Sequence, residues 1–269
     1  MTDTIDQMVP RNSTQKEEPI RGHPLLHLQP RRQDQKARPR DLSTSPNRLP
    51  HGGQNARALL HTQPIIGADT ENGTFDLVIK TYFPTDQQPG GALSNILDCM
   101  EEGEEVEIRG PTGDIKYIGD GKFQIFDQEE RFENITLILG GSGITPGYQL
   151  IARVLATASD KTKIKVIDAN KDEKSILLRE DLDKFAQEHE DKFEICHILS
   201  HPSDDWKGEK GHVDEDKIKQ FGYAPEKESG KKNAVFLCGP PAMIQKAAMP
   251  ALRNWVSEIC FPFSNENLC

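Results

Sequence analysis

The sequence lacks any long apolar run, which excludes the simplest kind of membrane protein. No stretch of the 269 residues approaches the roughly 20 consecutive apolar residues that a membrane-spanning helix needs. Residues 1–10 also lack the positive start and apolar stretch of a secretory signal, and Asp3 and Asp6 argue against a mitochondrial presequence. We therefore expect a protein with no membrane partner.

Cysteine is scarce, and its placement is not that of a disulfide framework or a metal site. The five cysteines are odd in number, and no two of them have metal-type spacing. His189, His197, His201 and His212 form no metal-ligand pattern with them. A reducing, intracellular setting fits this usage, so we predict a cytoplasmic protein without a metal site.

Outside the first 60 residues the positive charges are too few to balance the negative ones, with 23 Lys and Arg against 37 Asp and Glu. The chain has a net charge of −10, yet residues 1–60 contain ten Lys and Arg against six Asp and Glu. The acidic remainder would repel phosphate backbones, so we expect no nucleic-acid partner. The first segment has few aromatic residues and buries too little apolar surface to offset the entropy lost on ordering. We predict that residues 1–61 form a disordered basic segment.

Residues 62–132 have the pattern of an antiparallel β-domain. Phe75–Phe83 is rich in β-branched and aromatic residues, and Glu104–Arg109 alternates before a Gly-Pro pair, so both predict strands. Residues 115–126 predict one or two more strands, and Leu93–Met100 has the apolar spacing of a short helix. We predict a partial antiparallel β-barrel.

From residue 133 to residue 269, predicted strands alternate with predicted helices. Such alternation indicates a parallel sheet with right-handed crossovers, so we predict an α/β nucleotide-binding domain. The predicted strands are Ile135–Leu139, Lys163–Asp168, Phe193–Leu199 and Ala234–Cys238. The predicted helices span about 146–158, 176–189 and 214–221, and a last helix begins near Pro241 and is kinked or ended by Pro250.

A glycine-rich turn, Gly140–Pro146 (GGSGITP), follows the first buried strand of this domain. Glycines let backbone amides approach a pyrophosphate, and the N-terminus of the next helix adds a partial positive charge. The segment departs from the usual G-x-G-x-x-G fingerprint. Taken alone, it fits a tight strand-to-helix turn equally well.

A second motif, Cys238–Pro241 (CGPP), follows a later strand of the same sheet. Open α/β sheets bind ligands at the carboxyl ends of their strands, so a thiol here would lie at the edge of the crevice. Taken alone, Cys238 is better explained as a small buried residue before a turn. Two such motifs about 100 residues apart on one sheet are far more specific than either one.

Together these residues resemble the cytochrome b5 reductase family within the ferredoxin–NADP reductase superfamily. The resemblance rests on Gly140–Pro146 and Cys238–Ile244 (CGPPAMI), and it covers about residues 62–256. Asp168–Leu182 is similar to the family's adenosine-side strand end, and Leu199–Val213 is most similar to the flavoprotein end of eukaryotic nitrate reductases. Phe75–Phe83 and Gly90–Ser94 are similar to the last part of its flavin barrel.

The resemblance implies a barrel that binds FAD and a parallel sheet that binds NAD(P)H. A hydride would pass from the nicotinamide to the flavin, and electrons would leave singly to a haem acceptor domain similar to cytochrome b5. Our leading hypothesis is a nitrate reductase-like oxidoreductase module. A free-standing cytochrome b5 reductase and a non-catalytic nucleotide-binding remnant are the alternatives.

The resemblance also implies site residues, carried over by position. At the flavin it places Val78, Lys80, Gly91, Ala92, Leu93, Ser94 and Thr145. At the nicotinamide nucleotide it places Gly140, Gly141, Ser142, Gly143, Asp168, Asn170, Gly239, Pro240, Pro241 and Met243, with Cys238 as the catalytic residue that positions the nicotinamide ring. An acidic residue near the adenosine ribose favours NADH over NADPH, and Asp168 is the candidate.

Three departures from the family pattern concern the flavin side and the chain end. The family's Arg-x-Tyr-Thr-Pro motif is reduced to Leu60–Pro64, which keeps only the proline. Residues 1–60 show no earlier barrel strand, and Val256–Cys269 lacks the family's closing aromatic residue. A truncated or wrongly spliced gene product would explain all three departures.

Overall fold

The chain divides into two compact units. Met1–Pro64 and Ala68–Pro111 form the first, and Ile65–Gly67 and Thr112–Cys269 form the second. The computed structural model describes residues 8–10, 25–30, 75–86, 90–101, 103–104, 113–224, 233–255 and 260–262.

The first unit contains a three-stranded antiparallel sheet and one short helix. The strands are β1 (Met8–Pro10), β2 (Leu25–Pro30) and β3 (Phe75–Val78), in the order β1-β2-β3. Helix α1 spans Ala92–Asp98. Strand β3 is shorter than predicted because the chain beyond it turns to bond with the start of α1: Gly91 N donates to the Tyr82 carbonyl at 2.8 Å.

Strands β1 and β2 lie within the segment that we predicted to be disordered. The expectation that residues 1–60 contain no strand of this sheet is therefore wrong, and disorder of the segment as a whole stays a prediction. Leu28 of β2 lies opposite Phe75 of β3. Averaging the composition over sixty residues hid the local apolar run at Leu25–Leu28. The rest of residues 1–61, and the predicted strand beyond Glu104, lie outside the described residues.

The second unit is built on a parallel sheet of six strands in the order β10-β9-β8-β7-β11-β12. A separate antiparallel sheet, β4-β5-β6, precedes it. The strands are β4 (Ile115–Gly119), β5 (Lys122–Ile125), β6 (Gln128–Arg131), β7 (Asn134–Gly140), β8 (Lys163–Asn170), β9 (Phe193–Leu199), β10 (Glu209–Lys210), β11 (Asn233–Cys238) and β12 (Cys260–Pro262). The helices are α2 (Ile144–Ala156), α3 (Arg179–Glu188), α4 (Glu215–Phe221), α5 (Pro241–Met243) and α6 (Met249–Trp255).

Helices cover both faces of the parallel sheet. On one face Ile138 and Ile167 pack in a buried cluster with Ile218 of α4 and Leu252 of α6. On the other face lies α2, whose Gly147 adjoins the side chain of Leu139. The strands are therefore apolar on both faces, as a covered parallel sheet requires. In the described part of the chain, no helix combines the length and apolarity that crossing a bilayer requires.

The last helix does not end at Pro250. It begins as α5, widens into a π-helical turn over Ile244–Ala248, and continues as α6 to Trp255. Proline in a regular helix loses a hydrogen bond and its ring collides with a carbonyl of the preceding turn. The wider turn directly before Pro250 accommodates the ring, so the helix continues past Pro250. Of the two predicted effects, ending the helix is wrong, whereas an irregular turn next to the proline is present.

Candidate functional site

The glycine-rich turn and the Cys238 turn lie side by side on the parallel sheet. From β7 the chain moves outward to β8 and β9, and it later returns to place β11 on the other side of β7. Leu139 of β7 lies opposite Cys238 of β11, so both strands end at the same edge. The order of the strands therefore reverses at β7. In open α/β sheets, ligands bind in a crevice at the carboxyl ends of the strands where the order reverses.

Glycine is required where the two turns touch. A Cβ atom on Gly143 would lie 2.3 Å from the Cys238 carbonyl oxygen, which is closer than any side chain tolerates. Gly239 has a positive φ of 157°, and its Cβ would lie 3.0 Å from Gly140 N. Backbone therefore packs directly on backbone, which leaves the amides of both turns close to any ligand in the crevice.

Helix α2 begins at the carboxyl end of β7, directly after the glycine-rich turn. Gly141–Gly143 form a 3₁₀ turn, and Gly143 caps a 13-residue helix without any side-chain hydrogen bond or acidic residue in the first turn. Thr145 Oγ1 donates to the Ser142 carbonyl at 3.1 Å, which fixes the turn. The first amides of α2 therefore lack a side-chain acceptor, and the helix dipole adds a partial positive charge, so this end suits a phosphate group.

Cys238 is a neutral thiol at the edge of this crevice. It is half-buried, and burial raises its pKa to about 11. A thiol with this pKa is protonated at neutral pH, so it is not poised as a nucleophile. Beside it the Met243 thioether fills the space next to Gly140, where a Cβ atom would lie 2.7 Å from the sulfur. At neutral pH this edge of the crevice therefore offers a protonated thiol and a thioether, and Cys238 supplies no thiolate.

Asp168 and Asn170 lie at the carboxyl end of the neighbouring strand, β8. Asp168 is opposite Leu139 of β7 and is only 1% exposed. Its Oδ2 accepts hydrogen bonds from Asn170 Nδ2 at 2.8 Å and from His197 Nδ1 at 2.9 Å, with the imidazole tautomer assigned so that Nδ1 donates. The carboxylate is thus engaged by protein groups and buried beside the glycine-rich turn.

In the first unit, the start of α1 is bound to the chain that follows β3. Asn95 Nδ2 donates to the Tyr82 carbonyl at 2.8 Å, and Ser94 Oγ donates to the Gly91 carbonyl at 3.2 Å. A Cβ atom on Gly91 would lie 2.6 Å from Ser94 Oγ. Val78 is buried in this unit, and Lys80 Nζ lies 5.8 Å from the centre of the Tyr82 ring.

Two family models match this chain, one in each half. The model of the oxidoreductase FAD-binding domain matches residues 54–117, and the model of the oxidoreductase NAD-binding domain matches residues 137–249. Together they span more than half of the sequence.

The chain belongs to the FAD- and NAD-binding oxidoreductases of the cytochrome b5 reductase and nitrate reductase family.

Cytochrome b5 reductases and nitrate reductases are both among the curated relatives that are similar to this chain. NADH-cytochrome b5 reductase 2 of Danio rerio is 36% identical over 207 residues, which are 74% of this chain and 66% of the relative. Nitrate reductase [NADH] of Spinacia oleracea is 38% identical over 184 residues, 67% of this chain and 19% of the relative. The chain therefore spans just under two thirds of the former and about a fifth of the latter.

Two solved structures have a similar architecture. The cytochrome b5 reductase domain of Ulva prolifera nitrate reductase has a TM-score of 0.76 and 28% identity, and the match covers 95% of this chain and 97% of that domain. The CS-b5R domains of human Ncb5or match with a TM-score of 0.68 at 20% identity, which is a likeness of fold.

The family cofactors are FAD and NAD(P)H, and the described residues fit both. On the nicotinamide side, the glycine cradle and the uncapped start of α2 suit a pyrophosphate. On the flavin side, Gly91 adopts an extended backbone at the start of α1, again without a side-chain cap. The reduced motif at Leu60–Pro64 lies within the matched FAD-binding domain and outside the described residues.

The predicted site residues fall into three groups. One group surrounds the two glycine-rich turns, a second lies at the end of β8, and a third lies in the first unit. The group at the two turns contains Gly140, Gly141, Ser142, Gly143, Thr145, Cys238, Gly239, Pro240, Pro241 and Met243. The group at the end of β8 contains Asp168 and Asn170. The group in the first unit contains Val78, Lys80, Gly91, Ala92, Leu93 and Ser94.

His197 is a member of the second group that the sequence analysis missed. We considered it only as a metal ligand, and among the described residues no cluster of three metal-binding side chains occurs. The signal that could have found it is the parallel register of β8 and β9. Both strands were predicted, but β8 extends two residues beyond its predicted end, to Asn170. Only this longer strand, with Asn170 opposite Leu199, brings His197 opposite Asp168.

Proposed function

We propose that this chain is an NAD(P)H-dependent flavoprotein reductase module that delivers electrons to a haem acceptor. The observation that supports this most is the crevice at the ends of β7 and β11, where Gly143 and Cys238 meet backbone to backbone. A bound FAD would supply the redox chemistry that links a two-electron hydride donor, NAD(P)H, to a one-electron acceptor. The residues of this chain bind and align the two cofactors.

On the nicotinamide side, each part of the crevice has its own task. The amides at the start of α2 bind the pyrophosphate, and Gly143 and Gly239 let it approach the backbone. The neutral Cys238 thiol packs at the ring and holds it in line for transfer. Hydride transfer needs no proton abstraction, so alignment supplies most of the rate enhancement.

On the flavin side, the turn before α1 supplies the phosphate contacts. Ala92, Leu93 and Ser94 present backbone amides there, and Ser94 is buried and donates to the Gly91 carbonyl. The amide of Gly91 itself donates to the Tyr82 carbonyl, so Gly91 serves by letting the phosphate approach the turn. Val78 and Lys80 would lie along the flavin itself. These assignments are supported by the position of the residues in the matched FAD-binding domain.

A haem domain similar to cytochrome b5 is the acceptor that we propose. Two forms of this function are supported by different relatives. The likeness to the Ulva prolifera reductase domain over nearly its whole length favours a module of a nitrate reductase. The 36–38% identity to NADH-cytochrome b5 reductases favours a free-standing reductase as the second candidate.

Reduction of two acceptors by the purified chain tests this function. We expect the chain, supplied with FAD and NADH or NADPH, to reduce ferricyanide and to reduce purified cytochrome b5. Ferricyanide reports transfer from NAD(P)H through the flavin, and cytochrome b5 reports recognition of a haem domain.

The ferricyanide and cytochrome b5 assays test the reductase chemistry and the proposed acceptor separately. Reduction of ferricyanide without cytochrome b5 would contradict the proposed acceptor and leave the reductase chemistry in place. Reduction of neither, by a chain that binds NADH, would instead identify the non-catalytic nucleotide-binding remnant.

A further inference from the structure

A cluster of polar side chains joins β8, β9 and α3 at the nucleotide end of the sheet. Asp168 and Asn170 come from β8, His197 comes from β9, and Asp183 comes from α3. His197 Nδ1 lies 2.9 Å from Asp168 Oδ2, and His197 Nε2 lies 3.5 Å from Asp183 Oδ1. The imidazole is thus placed between two carboxylates.

The Asp168 carboxylate depends on these neighbours. Asp168 is 1% exposed, and the His197 side chain is only 9% exposed. A carboxylate removed from water is costly unless hydrogen bonds or charges compensate it. Both of its hydrogen bonds, from Asn170 and His197, go to Oδ2. His197 is therefore one of the two groups that set the orientation of this carboxylate.

Within the described part of the chain, two acceptor oxygens of the cluster have no donor, and His197 Nε2 is likewise buried without a hydrogen-bond partner. Among the described residues, neither Asp168 Oδ1 nor Asn170 Oδ1 has a hydrogen-bond partner, although both atoms are buried. Unpaired buried acceptors are uncommon, because each loses its hydration without replacement. A ligand that satisfies two acceptors must bring donors, and hydroxyl groups do so. A phosphate dianion brings only further acceptors.

The location of these acceptors matches the ligand crevice. Asn170 is the last residue of β8, and Ala169 lies opposite Gly140, where the glycine-rich turn begins. Strand β8 is next to β7, so the two acceptors lie one strand away from the pyrophosphate cradle. A nucleotide whose pyrophosphate meets α2 would place its adenosine ribose toward this strand.

We propose that His197 is a positioning residue for the nucleotide. It holds the Asp168 carboxylate, and through it the Asn170 amide, so that their two remaining oxygens accept hydrogen bonds from the hydroxyls of the adenosine ribose. Because both oxygens are enclosed by protein, the side chains around them shift when the nucleotide binds. This inference rests on the proposed nicotinamide nucleotide function of the same crevice.

A pair of amide substitutions isolates the positioning role. In His197→Asn the amide nitrogen takes the place of Nδ1 and can still donate to Asp168. In His197→Gln it takes the place of Nε2 and points toward Asp183. The full chain is titrated by calorimetry with NADH and with analogues that lack the 2′- or 3′-hydroxyl of the adenosine ribose.

We expect wild type to bind NADH about tenfold more tightly than at least one deoxy analogue, as the loss of a hydrogen bond to a charged acceptor implies. The affinity for NADH divided by the affinity for the deoxy analogue should stay close to the wild-type ratio in His197→Asn. In His197→Gln this ratio should fall toward one. His189→Gln is the matched control, because the His189 carbonyl pairs with Phe193 N at the opposite end of β9.

The outcomes are distinguishable. Wild type that does not bind NADH would overturn the proposed function. If wild type binds NADH more tightly than the deoxy analogue and His197→Gln shows the same ratio of affinities, the positioning role is overturned. A lower melting temperature of the variant would not change this conclusion. Should His197→Gln fail to fold, Asp168→Asn serves as the second variant, and an unchanged ratio there would overturn the inference in the same way.

Discussion

At the scale of single residues, the chemistry of the crevice is set by how the chain buries a few polar groups. Burial raises the pKa of both the Cys238 and the Cys196 thiols to about 11, so each is protonated at neutral pH. The two cysteines differ in place: Cys238 ends β11 at the crevice, whereas Cys196 lies in the middle of β9. This difference makes them a matched pair for testing the role of the crevice thiol.

Replacing Cys238 by serine should slow hydride transfer more than it weakens nucleotide binding. Serine is smaller and more strongly hydrated than cysteine, so the nicotinamide ring is held less well in line. Misalignment of reacting groups costs up to about 100-fold in rate. Stopped-flow reduction of the bound flavin by NADH gives the transfer rate, and its concentration dependence gives the affinity.

Cys196→Ser should leave both quantities unchanged. Equal losses of rate and affinity in Cys238→Ser would count against a positioning role and favour general damage to the crevice.

The sequence contained part of this residue-scale picture. The glycine turns and Cys238 were identified because each is a short local motif next to a predicted strand. His197 could not be recognised in the same way, since its partner Asp168 is 29 residues away and the contact depends on the register of two strands. The predicted role of Asp168 as a bare acidic residue also omits its hydrogen bonds to His197 and Asn170.

At the scale of elements, one buried carboxylate joins the β4-β5-β6 sheet to the parallel sheet. Asp160, in the connection between α2 and β8, accepts hydrogen bonds from Tyr117 of β4, from Asp120 N at 3.1 Å and from Thr162 Oγ1 at 2.6 Å. These bonds lower its pKa, although burial acts in the opposite direction. The cluster thus ties the β4-β5-β6 sheet to the parallel sheet within the second compact unit, and the domain boundary at residue 132 stays a prediction.

Asp160→Asn should lower the free energy of unfolding by about 1–3 kcal/mol, since hydrogen bonds to a charged acceptor are lost or weakened. Urea denaturation followed by circular dichroism measures the change. Asp127→Asn, in the exposed turn between β5 and β6, is the matched control and should change the stability little. An Asp160→Asn variant as stable as wild type would contradict the role of this cluster.

The same cluster gives a pH dependence. Because the pKa of Asp160 is below its ordinary 3.8 in the folded chain, its contribution is present above about pH 4 and is lost as the pH falls further. Burial and the bond to Asp160 raise the pKa of Tyr117 to about 12, so its contribution is present below pH 10 and is lost as the pH rises through 12. The difference in the free energy of unfolding between wild type and Asp160→Asn should therefore become smaller as the pH falls below about 4.

The sequence predicted most elements of the parallel sheet and fewer of the others. Strand β9 has the predicted bounds, and β7 and β11 differ only at their ends, because buried strands have continuous apolar runs. The two-residue strand β10 has too short a pattern to be recognised. The passage of the last helix beyond Pro250 depends on a π-helical turn that no local rule indicates.

At the scale of the whole molecule, the chain is one member of a family that joins a flavin domain to a nicotinamide domain. Its second half has a parallel sheet in the order β10-β9-β8-β7-β11-β12 and both of the motifs that carry the resemblance. Its first half has the matched FAD-binding domain with the Arg and Tyr of the usual flavin motif replaced, so flavin retention is the property on which the proposed function depends.

The visible absorption spectrum of the purified chain, recorded with FAD and then with NADH in the absence of oxygen, tests this account most directly. We predict a flavin band that stays with the protein on gel filtration and bleaches when NADH is added. Gly143→Val, which would place a side chain against the Cys238 carbonyl, should retain the band and bleach far more slowly. A chain that holds no flavin, or whose flavin NADH does not bleach, would contradict the proposed reductase function.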